Sequence, residues 1–312
     1  MQNTAAIEVN GLTKSYKHVP VLKGVSFTVG RGTIFALLGS NGAGKTTTIN
    51  ILTTLTKADG GMATVDGIDV AKRPGTVRRR ISLTGQFAAV DNRLTARENL
   101  KLIGDLYHIK DPAKTAVELL QKFNLTDAAD RYVQTFSGGM RRRLDIAMSL
   151  IGNPSVIFLD EPTTGLDPEA RNDMWQTIRT LADGGTTVFL TTQYLEEADQ
   201  LADKIAVLHQ GKIVASGTAG ELKKLVPGSH ISFTFATEKQ RDAARSLLEK
   251  QHKTVTNDLI TLTVTIDGST SQVAQLFTQL RDNHIEPAEF AQRMPSLDDV
   301  FLKLVGTGKE ER

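Results

Sequence analysis

The chain has 312 residues and a mass of 33.9 kDa, room for one full-sized domain and a smaller companion. Hydrophobic residues at 40% and charged residues at 23% exclude a wholly disordered chain, and 37 basic against 35 acidic residues give no electrostatic case for nucleic acid as a partner. The absence of cysteine excludes disulfides, thiolate catalysis and cysteine-ligated zinc, and it fits the reducing, cytoplasmic side of a membrane.

Met1 to Asn10 lacks the basic segment and apolar stretch of a secretory signal, and no run approaches the roughly 18 apolar residues of a membrane span. Any membrane role is therefore expected to act through a partner. From Ile7 to Val70, short apolar stretches alternate with glycine-containing turns, the pattern of an antiparallel layer. Ile34 to Leu38 interrupts it as a compact apolar run that stops at Gly39, as expected of a strand buried on both faces, with a helix from about Lys45. Three helical stretches between Leu94 and Ile151 predict a helical insert. Val156 to Leu159 and Thr187 to Leu190 read as two more buried strands, each followed by polar residues. Ligand loops gather at the carboxyl ends of parallel strands, so Gly39, Asp160 and Gln193 are expected to converge. After Pro227-Gly228 the order strand, helix, strand, strand, helix, strand, helix predicts a small ferredoxin-like α+β domain. The expected division is a larger domain over residues 1–227 and an accessory domain over 228–312. Leu297, Val300 and Phe301 share one helical face, which either docks on another surface or closes the tail's own core.

Gly39-Ser40-Asn41-Gly42-Ala43-Gly44-Lys45-Thr46 has the spacing G-x-x-x-x-G-K-S/T between a strand and a helix. Glycine lets the backbone wrap a phosphate chain closely, and amides at a helix start donate to its oxygens. Lys45 is expected on the β- and γ-phosphates and the Thr46 hydroxyl on magnesium. Asp160 and Glu161 then follow four apolar residues: Asp160 suits magnesium through a water, and Glu161 suits activation of an attacking water. Ser137 reads as an N-cap, and Gly138 and Gly139 leave first-turn amides open as a second anion site. Arg141, Arg142 and Arg143 read as a solvated face.

Taken together, GSNGAGKTT, FSGGMRRRLDIA and VIFLDEPTTGLDP resemble the ABC ATPase family in order and spacing, over roughly the first 225 residues. The fold implied is an α/β P-loop nucleotide-binding domain of mixed sheet, antiparallel layer and helical insert. The resemblance implies a head-to-tail homodimer, each ATP lying between Gly39 to Thr47 of one copy and Ser137-Gly138-Gly139 of the other, with ATP and magnesium as cofactors. It further implies that Tyr16 stacks on adenine, that Gln86 touches the metal or water and senses a membrane partner, and that Asp167 crosses the dimer. By their residue types alone, Tyr16 reads equally as a strand-edge tyrosine, Gln86 as an ordinary polar residue after a strand, and Asp167 as a turn or helix-start residue. Where the family usually has histidine, this chain has Gln193, whose amide can donate a hydrogen bond to the γ-phosphate but cannot carry a proton or charge. TTQYLEEADQLAD and the ending SLDDVFLKLVG resemble the daunorubicin-resistance branch of multidrug exporters, which implies a separate membrane permease. The rivals are export of lipid, polysaccharide or peptide cargo and, further off, a non-transport ABC ATPase. A GTPase reading lacks an N-K-x-D signature.

Overall fold

The computed structural model describes residues 5–86, 88–226, 229–250, 254–256, 258–266, 269–293 and 295–306. Two compact units divide the chain, residues 1–219 and 220–312. The Pro227-Gly228 junction marked by the sequence lies outside the described residues.

In the first unit, β1 (Ala5–Tyr16) and β2 (Val19–Gly30) make a long hairpin, followed by β3 (Ile34–Leu38) and α1 (Lys45–Leu52). Next come β4 (Gly60–Val65), β5 (Ile68–Asp69), α2 (Pro74–Arg78) and β6 (Ile81–Thr84). The helical insert holds α3 (Ala96–Leu106), α4 (Pro112–Lys122) and α5 (Gly138–Ser149). The chain then alternates through β7 (Val156–Asp160), α6 (Pro168–Asp183), β8 (Thr187–Thr192) and α7 (Leu195–Leu201). It closes with β9 (Lys204–His209) and β10 (Lys212–Gly217), and the short α8 (Ala219–Lys223) starts at the boundary and lies in the second unit.

Helix starts follow local chemistry. Thr95 and Glu98 form a reciprocal cap on α3, each side chain accepting the other's backbone N–H at 3.2 and 2.8 Å. Asp111 caps α4, with Pro112 in the first turn where its missing N–H costs nothing.

Strands pair as β2-β1-β4-β5 in an antiparallel sheet and as β10-β9-β3-β8-β7-β6 in a larger, mainly parallel one. Every residue of β3, β7 and β8 is buried, which is why these strands read as continuous rather than alternating apolar runs. Between the sheets Phe27, Phe35 and Phe189 stack with ring centroids 5.1 and 5.4 Å apart, and α1 buries Ile49, Ile51 and Leu52 in the same core. Register then aligns the strand ends: Leu38 lies opposite Thr192, and Asp160 opposite Thr191. The loops after β3, β7 and β8 therefore leave the sheet at one edge.

The second unit runs β11 (Ser229–Thr234), α9 (Glu238–Leu248), β12 (Thr254–Thr256), β13 (Thr261–Ile266), α10 (Thr270–Asp282), β14 (Glu289–Arg293) and α11 (Leu297–Gly306). Its sheet order β12-β13-β11-β14, with every pair antiparallel, is the ferredoxin-like arrangement. Alternation puts Ile231, Phe233, Leu262, Val264 and Ile266 on one face against Ala244, Leu248, Leu276 and Leu280 of the helices. On α11, Leu297 and Val300 are buried and Phe301 is half-buried. Among the described residues, no helix is long and apolar enough to cross a membrane.

Candidate functional site

The loop from Gly39 to Gly44 joins β3 to α1 and is tied to the neighbouring strand by Gly39 N–H donating to Thr192 O at 3.1 Å. A Cβ at Gly39 would lie 2.5 Å from Leu208 O, and Gly44 sits at φ 113 with a Cβ position 2.6 Å from Leu22, so neither tolerates a side chain. Ser40, Asn41 and Gly42 are exposed, Ala43 is buried, and Thr46 and Thr47 present exposed and half-buried side chains on the first turn of α1. Lys45 folds back into the loop: its ammonium donates to Gly39 O at 2.8 Å and Ser40 O at 3.3 Å, and stands 3.2 Å from Glu161 Oε1. Both members of that ion pair are buried, at 5% and 8% exposure.

The end of β7 and the residue after it carry two carboxylates with different partners. Asp160 accepts from Thr46 Oγ1 at 3.1 Å through one oxygen and from Thr191 Oγ1 through the other. Glu161 turns the chain at φ 49, a left-handed conformation that costs a non-glycine residue about 1–3 kcal/mol and is held only by its surroundings. Those surroundings are specific, since Glu161 N–H donates to both Thr191 O at 3.1 Å and Thr191 Oγ1 at 3.2 Å. Thr164 Oγ1 donates to the second carboxylate oxygen at 3.3 Å. Thr191, at the end of β8, thus orients both acids. Only the strand's apolar run was readable beforehand.

Lys45, Thr46, Asp160 and Glu161 accordingly form one bonded group. Gln193 follows Thr192, the residue bonded to Gly39; its half-buried side chain makes no hydrogen bond among the described residues. Gln86 is exposed, just beyond β6. Ser137 caps α5 by accepting Met140 N–H at 3.2 Å, and Gly139 packs so close to α6 that a Cβ would lie 3.0 Å from Ala170 Cβ. Asp167 caps α6, accepting Ala170 N–H at 2.8 Å. Tyr16 ends β1 at the hairpin turn, 44% exposed, with the Lys14 ammonium 5.4 Å from its ring. Among the described residues, no hydrogen bond or ion pair joins Tyr16, Ser137, Gly138, Gly139 or Asp167 to the loop from Gly39 to Gly44.

The solvated face expected of Arg141 to Arg143 is corrected at Arg142, which is 5% exposed. It donates to Pro162 O at 3.1 Å and Asp160 O at 3.3 Å, reaches Gly85 O, and stands 3.4 Å from Asp145. Burial pulls its guanidinium below the usual arginine range, while Asp145 and Asp160 draw it back. Burial likewise pushes the Asp145 carboxyl up, against the Ala89 N–H and Arg142. A second missed carboxylate is Glu197 on α7, fully buried, accepting from Thr163 Oγ1 at 2.8 Å and Trp175 Nε1 at 3.3 Å. Burial raises its pKa too, and hydrogen bonds oppose the rise.

Residues 22–164 match the ABC transporter family, and residues 217–305 match the ATP-binding protein DrrA1-3-like, C-terminal domain. The daunorubicin/doxorubicin resistance ATP-binding protein DrrA of Streptomyces peucetius is 46% identical, the alignment covering 100% of this chain and 96% of that one. The chain belongs to the family of ABC transporter ATP-binding proteins. Like others of this family, it is an ATPase. The Nod factor export ATP-binding protein I of Rhizobium meliloti is 38% identical over 97% of this ABC ATPase and 89% of its own length. Among solved structures, an ATP-binding cassette of an ABC transporter in its ADP conformation superposes with a TM-score of 0.64 at 28% identity, over 70% of this chain and 92% of that one. A dimeric cassette in a post-hydrolysis state bound to ADP and phosphate superposes at 0.61 with 27% identity, over 68% and 98%.

Proposed function

We propose that this ABC ATPase is the motor subunit of an exporter of drugs or similar amphipathic molecules, working at the cytoplasmic face of the membrane through a separate permease. The observation that carries the cargo class is end-to-end identity of 46% with a daunorubicin/doxorubicin resistance ATP-binding protein, tail domain included. Phosphate oxygens replace Glu161 and the two loop carbonyls as partners of Lys45, so nucleotide binding must first open the Lys45–Glu161 pair. The freed Glu161 carboxylate then faces the γ-phosphate side of the loop. It takes a proton from the water that attacks phosphorus as the bond to the bridging oxygen of ADP breaks. Thr46, Asp160 and Gln86 are oxygen donors of the kind magnesium takes, and the 3.1 Å approach of Thr46 to Asp160 brings two of them together. Bound there, magnesium would offset the charge of the phosphates. The Gln193 amide donates to the γ-phosphate, and Ser137, Gly138 and Gly139 of a second copy supply amides from the far side. Tyr16 supports the base, and Asp167 lies at the dimer seam.

The test is export of daunorubicin from cells carrying the chain with its permease. Parent protein should lower cell-associated drug, and Glu161→Gln should abolish export while retaining ATP and an ATP-held dimer. Undiminished export by Glu161→Gln would overturn the mechanism. Export of a lipid, polysaccharide or peptide in place of drug would overturn the cargo assignment alone.

A further inference from the structure

We propose that Arg142 is a positioning residue through which the two ATP half-sites of one subunit act on each other; this rests on the head-to-tail dimer of the proposed function. One half-site is the group around Lys45, Asp160 and Glu161. The other is the start of α5, whose Ser137, Gly138 and Gly139 face the second copy's nucleotide. Arg142 lies in the second turn of that same helix, and its buried guanidinium spreads over three carbonyls of the first half-site. They belong to Asp160 itself, to Pro162 beside Glu161, and to Gly85 beside Gln86. Asp145, one turn further along α5, pairs with the guanidinium at 3.4 Å and accepts Ala89 N–H at 3.0 Å, so the loop carrying Gln86 is gripped at both ends.

A guanidinium is planar, with donors fixed in a fork. When the three carbonyls shift, it cannot swivel to follow each separately. A displacement of Gly85 or Pro162 must therefore either break a bond to a buried cation or carry α5 along. Breaking one is costly in a site closed to water, so movement of α5 is favoured. The arrangement transmits in both directions: a nucleotide engaged at the start of α5 bears on Glu161, and an event at Gln86 bears on the second site. A lysine keeps the charge but presents a point donor that cannot span three carbonyls.

Full-length parent, Arg142→Lys and Asp145→Asn are compared in ATP affinity, kcat and the Hill coefficient of ATP hydrolysis, with melting curves run alongside. Asp145→Asn keeps the acceptor for Ala89 N–H while removing the charge that holds the guanidinium, and it serves should Arg142→Lys fold poorly. The expected result is affinity within about threefold of the parent, kcat lower by about tenfold or more, and a Hill coefficient falling toward one. A structural role alone would lower the melting temperature and leave the Hill coefficient of the folded fraction unchanged. Normal cooperativity in both folded variants overturns the coupling and spares the dimer. A parent that hydrolyses ATP without cooperativity or ATP-driven dimerisation overturns both.

Discussion

Removing Lys45 should destabilise the nucleotide-free protein as well as weaken ATP binding, because its ammonium is the cation opposite a buried glutamate. At 3.2 Å and an effective dielectric constant of about 20, the Lys45–Glu161 attraction is ~5 kcal/mol before desolvation is charged against it. With both groups under 10% exposed, removing one strands the other, a change that costs about 3–5 kcal/mol. Lys45→Ala should therefore lower the melting temperature of the first unit by about 10 °C without nucleotide. Adding Glu161→Gln should restore much of it, since no charge is then left alone. Glu161→Gln by itself keeps an amide oxygen for the Lys45 ammonium and exchanges an ion pair for a hydrogen bond to a neutral acceptor, about 1 kcal/mol weaker. The pair then opens more readily, and ATP should bind about fivefold tighter. Calorimetric melts of parent, both single variants and the double variant in chelator decide the stability part, and equilibrium ATP titration decides the affinity. The reasoning fails if Lys45→Ala melts with the parent, or if the double variant melts no higher than Lys45→Ala.

Gln193→Ala should slow ATP turnover by roughly tenfold to a hundredfold through loss of one hydrogen bond to a charged group, whereas Gln193→His should retain substantial activity and gain a pH dependence near 6–7; steady-state rates across pH at saturating ATP measure both. Gly139→Ala should cost about 1–3 kcal/mol in a thermal melt by pressing on Ala170, 3.0 Å away, while Gly138→Ala, with 3.6 Å to its nearest neighbour, should melt with the parent. Burial holds the Glu197 pKa above the ordinary glutamate value of 4.5, so the folded protein retains the proton longer than the unfolded chain does. Stability then falls as pH rises through that window. Glu197→Gln should accordingly raise the melting temperature at pH 7, with the gain vanishing as pH drops toward 4.5.

The parts of the site written as local patterns were legible in the sequence. A five-residue apolar strand ending at Gly39 and another ending at Asp160 state both their burial and their polar ends, and parallel register does the rest by bringing those ends to one edge. Legible too was the tail's order of strands and helices, because β11 and β13 alternate and the helices are amphipathic. Thr191 was not, since its hydroxyl matters only through Asp160 and Glu161 on another strand. Ser137-Gly138-Gly139 announced a helix start with open amides, but the close contact of Gly139 with Ala170 depends on how α5 and α6 pack.

The misreading of Arg142 has a more general cause. Leu144, Ala147 and Met148 mark one buried face of α5, and a run of three arginines beside them suggests that the opposite face meets water. In fact α5 also buries Arg142, Asp145 and Ile146, because the helix is enclosed on more than one side. A central helix of this kind can carry charge only where an opposite charge and carbonyls wait for it, and Asp145, Gly85, Asp160 and Pro162 come from three separate segments. Glu197 on α7 is held differently, by two neutral donors, the Thr163 hydroxyl and the Trp175 indole N–H. Both buried side chains, Arg142 and Glu197, bond the short stretch between Asp160 and Thr163, where Glu161 is held in left-handed backbone. Holding that strained turn from two sides gives a physical reason for charge to be buried there, and neither partner can be found by reading along the chain.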